Sequence, residues 1–138
     1  MITLEHEHVT DAHRGEVAAA FDSSPWLRAK TDTSGGMVDA VDCLKGANFF
    51  RVLDDGRAVA FFVLRMHFRG ERRAAEVTLA HGRAGFDLVE GVLPLIERMC
   101  RGVGCGNVRI ETRRAGLMKK LERAGYEQAS VILSKELQ

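Results

Sequence analysis

The sequence predicts an α/β (α+β) domain, a mixed sheet interleaved with helices in the order β-α-α-β-β-β-α-β-α-β. Three observations predict it. Apolar and alternating segments flank an Asp55-Gly56 turn, as in a hairpin. Apolar residues recur at i, i+3, i+4 and i+7 through Leu88, Val89, Val92, Leu93, Ile96, Met99 and Cys100, as on one helix face. In the second half, glycine-bearing stretches separate segments of helical and strand character.

The elements follow in order. Residues 2–8 place Ile2 and Leu4 on one face and read as a short strand. Thr10 stands as N-cap of a helix over residues 11–21, with Asp11 at its positive end and Ala18, Ala19 and Ala20 favouring it. Pro25 ends it. Met37, Val41 and Leu44 mark a second, short helix that stops at Gly46. Residues 48–53 are a strand, Asp54-Asp55-Gly56-Arg57 a turn, and residues 58–68 the returning strand, apolar enough for the sheet centre. Arg69-Gly70-Glu71-Arg72 makes another turn before a third antiparallel strand over residues 74–81. After residues 82–85 comes the periodic helix, which Pro94 should kink or deprive of a hydrogen bond. A strand over residues 107–112, a helix over 114–124 closed by Gly125, and a final strand over 126–135 complete the chain.

The chain has 138 residues, of which 46% are hydrophobic and 28% charged. At that size roughly two thirds of the unfolded surface is buried on folding, enough for one core without staples. The expectation is a single domain spanning residues 1–138. Twenty Lys+Arg against nineteen Asp+Glu leave a net charge of +1. Bulk charge therefore gives no generic grip on nucleic acid or anionic membrane. Three cysteines, Cys43, Cys100 and Cys105, with no CxxC spacing, fit a reducing compartment rather than a disulfide scaffold. The first residues show no basic region followed by an apolar stretch, and the longest apolar run, residues 58–64, is far short of the roughly 20 needed to span a bilayer. The expected location is cytoplasmic, with no membrane partner.

Leu117-Met118-Lys119-Lys120-Leu121-Glu122-Arg123-Ala124-Gly125-Tyr126-Glu127 and, on the strand before the glycine-bearing loop, Ala75-Glu76-Val77 carry a family resemblance. Together with the element order they resemble the GNAT (Gcn5-related N-acetyltransferase) superfamily, in a divergent form like that of small phage-encoded proteins. The order matches over most of the chain, the motifs over about thirty residues. The resemblance implies a sheet whose third antiparallel strand splays from a following parallel strand, with acetyl-CoA or another acyl-CoA bound at that junction. Pantetheine would pair like an extra strand near Leu79, Ala80 and His81. The pyrophosphate would sit on backbone N–H groups of Gly82, Arg83, Ala84, Gly85 and Phe86, because glycines admit close approach and helix starts favour anions.

The match is incomplete. Of the family's Arg/Gln-x-x-Gly-x-Gly/Ala loop, only the central glycine is matched in Gly82-Arg83-Ala84-Gly85-Phe86-Asp87. Asp87 brings a negative charge to the motif's last position. Leu121 stands where many members carry a tyrosine as general acid.

The residues with chemistry each have two readings. Glu76 is the candidate base for an amine proton, or a strand residue paired with Arg65 or Arg72. His81 has a side chain suited to proton transfer near neutrality, or simply closes the strand end. Arg83 either meets a phosphate or is a surface arginine. Tyr126 packs as the aromatic after glycine, or replaces the missing acid. Cys100 and Cys105 read as buried structural thiols. His6, Glu7, His8 and His13 cluster in sequence, but a metal site needs three or four converging ligands, so no metal is expected. The basic residues from Arg65 to Arg73, with Arg113, Arg114, Lys119, Lys120 and Arg123, read as solvated faces, and without aromatic interleaving they do not predict nucleic-acid binding. The function implied is acyl transfer from a CoA thioester to an amine. Its rival is an inactive GNAT-shaped protein that binds a protein partner or serves as a structural component, for example one encoded by a phage.

Overall fold

In a computed structural model of the protein, residues 1–22, 39–83 and 85–138 are described. Five strands, β1 (Ile2–Glu7), β2 (Asn48–Asp54), β3 (Arg57–Arg69), β4 (Arg72–Gly82) and β5 (Cys105–Ile110), form one sheet in the order β1-β2-β3-β4-β5. The first four are antiparallel and β5 runs parallel to β4. Around them lie α1 (Asp11–Asp22), a 3-10 turn (Ala40–Leu44), α2 (Leu88–Gly91), α3 (Leu93–Gly102) and α4 (Ala115–Arg123). The expected mixed sheet is present, antiparallel in its first half with one parallel junction.

The turns obey their sequences. Asp55 and Gly56 take φ of 48° and 83°, the left-handed pair of a primed hairpin turn. Gly70, at φ 64°, does the same service between β3 and β4. At the end of α4, Gly125 takes φ 96°, Gly125 N–H donates to Glu122 O and Tyr126 N–H to Leu121 O. That is a Schellman closure, with buried Leu121 and the Tyr126 ring packed in one core cluster as its apolar clasp.

Alternation gives the sheet two covered faces. On one, Phe62, Leu64 and Ala75 meet Val92, Ile96, Cys100 and Leu121 of the later helices. On the other, Phe49, Phe61 and Val63 meet Val17 and Phe21 of α1 and Leu44 of the 3-10 turn. An ion network also seats α1: Arg51 on β2 pairs with Glu16 of α1 and, at 3.0 Å, with Glu7 of β1. His13 Nε2 lies 2.9 Å from Glu7, and its ring packs edge-on against Phe49. Thr10 N–H donates to His13 Nδ1 (3.0 Å), so the third helical residue caps the first turn in return.

Three elements differ from the sequence reading. The second helix is a single 3-10 turn begun by Asp39, whose N–H donates to the Asp42 carboxylate; Met37 and Pro25 lie outside the described residues. Pro94 does more than kink the periodic helix. It splits the helix into α2 and α3 at Val92 and takes a place in the first turn of α3, where its missing N–H costs nothing. Residues 126–135 do not form a strand. Glu127, Ala129 and Lys135 are poor strand formers, and Val131, Ile132 and Leu133 stay 66–91% exposed.

Candidate functional site

The geometry begins with how β4 is paired. Against β5 its register runs from Arg73↔Cys105 to Val77↔Ile110 and stops there, while β4 continues to Gly82 against β3 alone. From Thr78 onward one edge of β4 therefore has no strand beside it among the described residues. The same point carries a bulge: Val63 pairs with Leu79 and Leu64 with Val77, leaving Thr78 as the extra residue. Thr78 Oγ1 donates to Val63 O at 3.4 Å. The bulge bends β4 away from β5 and resets the side-chain alternation, so that Leu79 packs on the α1 side of the sheet.

Glu76 stands just before the parting, opposite Arg65 on β3 and Arg109 on β5. Its carboxylate is a quarter exposed, and its close ionic neighbour is His67, with Nε2 2.9 Å from Oε2. That is an ion-pair distance without an aligned hydrogen bond. Glu76 also lines an open groove along β5, shared with Arg109, Met118 and the chain after Tyr126.

His81 is elsewhere. Its ring is 5.7 Å from both Phe21 of α1 and Phe61 of β3, so it sits as an aromatic among aromatics. At about 3.3 Å of rise per residue, about 16 Å of strand separates it from Glu76. The structure does not bring these two together. Ala80 is exposed at the unpaired edge, and Leu79 is half-buried against the α1-side core.

Beyond β4 the chain turns tightly. Arg83 N–H donates to Val59 O, and Phe86 N–H to Arg83 O, both at 3.0 Å. Gly85 supplies φ 85°, and the Phe86 ring packs against Gly82 and Gly91 in the core. The Arg83 side chain is exposed; Ala84 lies outside the described residues. Asp87 is the N-cap of α2, its carboxylate accepting from Val89 N–H (3.0 Å) and Glu90 N–H (3.2 Å) and pairing with Lys120 of α4 at 3.1 Å. The Glu90 amide first, then Lys120, hold its pKa below the usual aspartate value. Its charge is thus turned into the helix and neutralised.

The remaining candidates fall into structural places. Tyr126 donates its hydroxyl to Glu97 at 2.8 Å, and burial followed by that bond raises its pKa well above the ordinary phenol. Burial pushes the Cys100 thiol up to about 11, which leaves no useful thiolate near neutrality. Glu7 is tied to Arg51 and His13 while His6 leans on Phe50 and His8, and no group of three or more His, Cys, Asp or Glu side chains converges among the described residues. No helix among them is long and apolar enough to cross a membrane. Sequence reasoning overlooked His67 and Arg109. The Gly70-Glu71 turn already fixes Arg65 opposite Glu76 and so His67 two residues along the same face, but Arg109 needed the register of a parallel strand.

The sequence matches no family model and no curated protein. Solved structures do match. A ribosomal-protein-alanine N-acetyltransferase from Brucella melitensis biovar Abortus 2308 is similar at TM-score 0.62 and 15% identity, over 99% of this chain and 98% of its own. AAC(6')-Iy, solved with the bisubstrate analogue CoA-S-monomethyl-acetylneamine, is similar at TM-score 0.63 and 14% identity, over 100% and 99%. A transcriptional regulator from Bacillus halodurans C-125 is similar at TM-score 0.66 and 12% identity, over 99% and 100%. At such identities the likeness concerns architecture and assigns no residue a role. The five-stranded mixed sheet, parting between β4 and β5 with helices on both faces, has the fold of the GNAT N-acetyltransferases.

Proposed function

We propose that the chain is an acyl-CoA-dependent N-acyltransferase that moves an acyl group, acetyl in the simplest case, from the CoA thioester to an amine. The observation that supports this best is the position of Glu76, the residue before the last β4–β5 pair, at the mouth of the unpaired β4 edge. An acyl donor laid along that edge pairs its amide groups with the backbone of Leu79, Ala80 and His81. The phosphates then lie toward Gly82, Arg83, Ala84, Gly85 and Phe86. Because the Arg83 and Phe86 amides and those at the start of α2 already serve protein acceptors, the exposed Arg83 guanidinium carries most of that contact.

In the reaction the amine nitrogen attacks the thioester carbonyl carbon, the C–S bond breaks, and CoA leaves as thiolate. Glu76 takes the proton the amine loses and returns it to solvent, from which the thiolate draws its own. His81, held between Phe21 and Phe61, lines the donor edge rather than exchanging the amine proton.

Asp87 favours a second reading. Its carboxylate fills the helix-start amides that an anion would otherwise take, as expected of a GNAT-shaped binding or structural protein that has given up its donor. Titration calorimetry with acetyl-CoA, and CoA as control, separates the two. Saturable binding supports the acyltransferase; no heat and no thermal shift at millimolar ligand supports the inactive module.

A further inference from the structure

Among the described residues, Arg65 Nε is buried without a hydrogen-bond acceptor, and His67 Nε2, buried on the same face of β3, has only an unaligned carboxylate oxygen of Glu76 at 2.9 Å. A buried donor without a partner is costly, and natural folds keep few of them. Both flank Glu76. Arg65 is its register partner, fixed by a 2.8 Å bond from Nη2 to Lys45 O, and His67 is its ionic neighbour. Arg109 stands opposite on β5, on the same face, since its neighbours Val108 and Ile110 pack into the other.

Among the described residues paired around Glu76, positive groups outnumber carboxylates. Two guanidiniums, charged at any working pH, and an imidazole surround one carboxylate. Glu111, two residues beyond Arg109, is already engaged. Arg65 and Arg109 are two strand spacings apart, about 10 Å between backbones, within reach of one small group lying over Glu76. A bare alkylammonium meets net repulsion there, whereas an anionic group supplies the missing acceptor.

We infer that Arg65, His67 and Arg109 form an anion subsite beside Glu76, so that the acceptor is a small amine carrying a carboxylate or phosphate close to its nitrogen. The catalytic part of this rests on the acyltransferase reading; the binding part does not. The first measurement therefore needs no acyl donor. Inorganic phosphate and, separately, acetate are titrated into the full-length protein while the histidine side-chain NMR signals are followed. A saturable shift of His67, absent from His6 and His8, lost in Arg65→Gln and Arg109→Gln and retained in Arg65→Lys, supports the subsite. No saturable shift overturns it.

The second measurement compares acyl transfer to β-alanine against propylamine, and to phosphoethanolamine against ethanolamine. The anionic member of at least one pair should be favoured by about tenfold or more in kcat/KM, and the favoured pair tells carboxylate from phosphate. Equal or reversed preference overturns the subsite and leaves the acyltransferase standing. Transfer to none of the four, with the His67 shift intact, counts against the acyltransferase and supports the subsite.

Discussion

Glu76 and Arg109 face each other one residue before β4 and β5 part, so a carboxylate and a guanidinium mark the base of the opening. A general base contributes roughly 10²- to 10⁴-fold to a proton-coupled step. Glu76→Gln keeps the shape and removes the basic oxygen. Turnover in that variant should fall by about that factor at neutral pH while calorimetric affinity for acetyl-CoA holds. Unchanged turnover would remove Glu76 from the chemistry; lost acetyl-CoA binding would show that it positions the donor.

Asp87 joins two helices, capping α2 and reaching Lys120 on α4. An N-cap is worth about 1 kcal/mol, an exposed ion pair much less. Asp87→Ala should therefore lose about 1 kcal/mol in urea denaturation, and Lys120→Ala well under half of that. Equal losses would mean that the bridge, not the cap, does the holding.

Local chemistry made much of this fold legible in the sequence. Asp55-Gly56 demanded a primed turn, Gly125 a left-handed helix end, and the stripe from Leu88 to Cys100 a buried apolar face, which α2 and α3 share. What stayed hidden depends on register. The bulge at Thr78 has no signal in its own residue, because it arises where β3 and β4 fall out of step. Arg109 becomes a neighbour of Glu76 only through parallel pairing across some thirty residues of chain. The capping role of Asp87 was hidden because sequence gives the charge of a carboxylate and not its rotamer.

Acid should weaken the fold through Glu7. Arg51, and after it His13, hold the Glu7 carboxyl below its usual value near 4.5. A group depressed in the folded state stabilises it above the unfolded pKa and loses that contribution as pH falls through the folded one. The loss therefore begins below about pH 4.5 and deepens with further acidification. Arg51→Met removes the partner of both Glu7 and Glu16. Its urea midpoint should lie well below wild type at pH 7 and approach it at pH 3. A gap that stays constant would mean that Arg51 acts by packing on Phe49, over whose ring it lies at 4.9 Å.

Two leucines of the C-terminal stretch, one in α4 and one beyond it, should respond very differently to mutation. Leu121 is 6% exposed in the core cluster and clasps the Schellman closure with Tyr126, whereas Leu133 is 91% exposed. Large-to-small changes in a core cost about 2–5 kcal/mol, and exposed changes away from special features about 0.5 or less. Leu121→Ala should therefore lower the urea midpoint strongly, and Leu133→Asp hardly at all. β5, meanwhile, has β4 on one side and, among the described residues, no strand on the other. Amides on that outer edge should exchange with solvent faster than those of β3, which is paired on both sides. Slow exchange along the outer edge of β5, together with a large loss in Leu133→Asp, would mean that residues 126–135 form the final strand read from the sequence and pair it with β5. The pairing would then close the groove that Glu76 now shares with them.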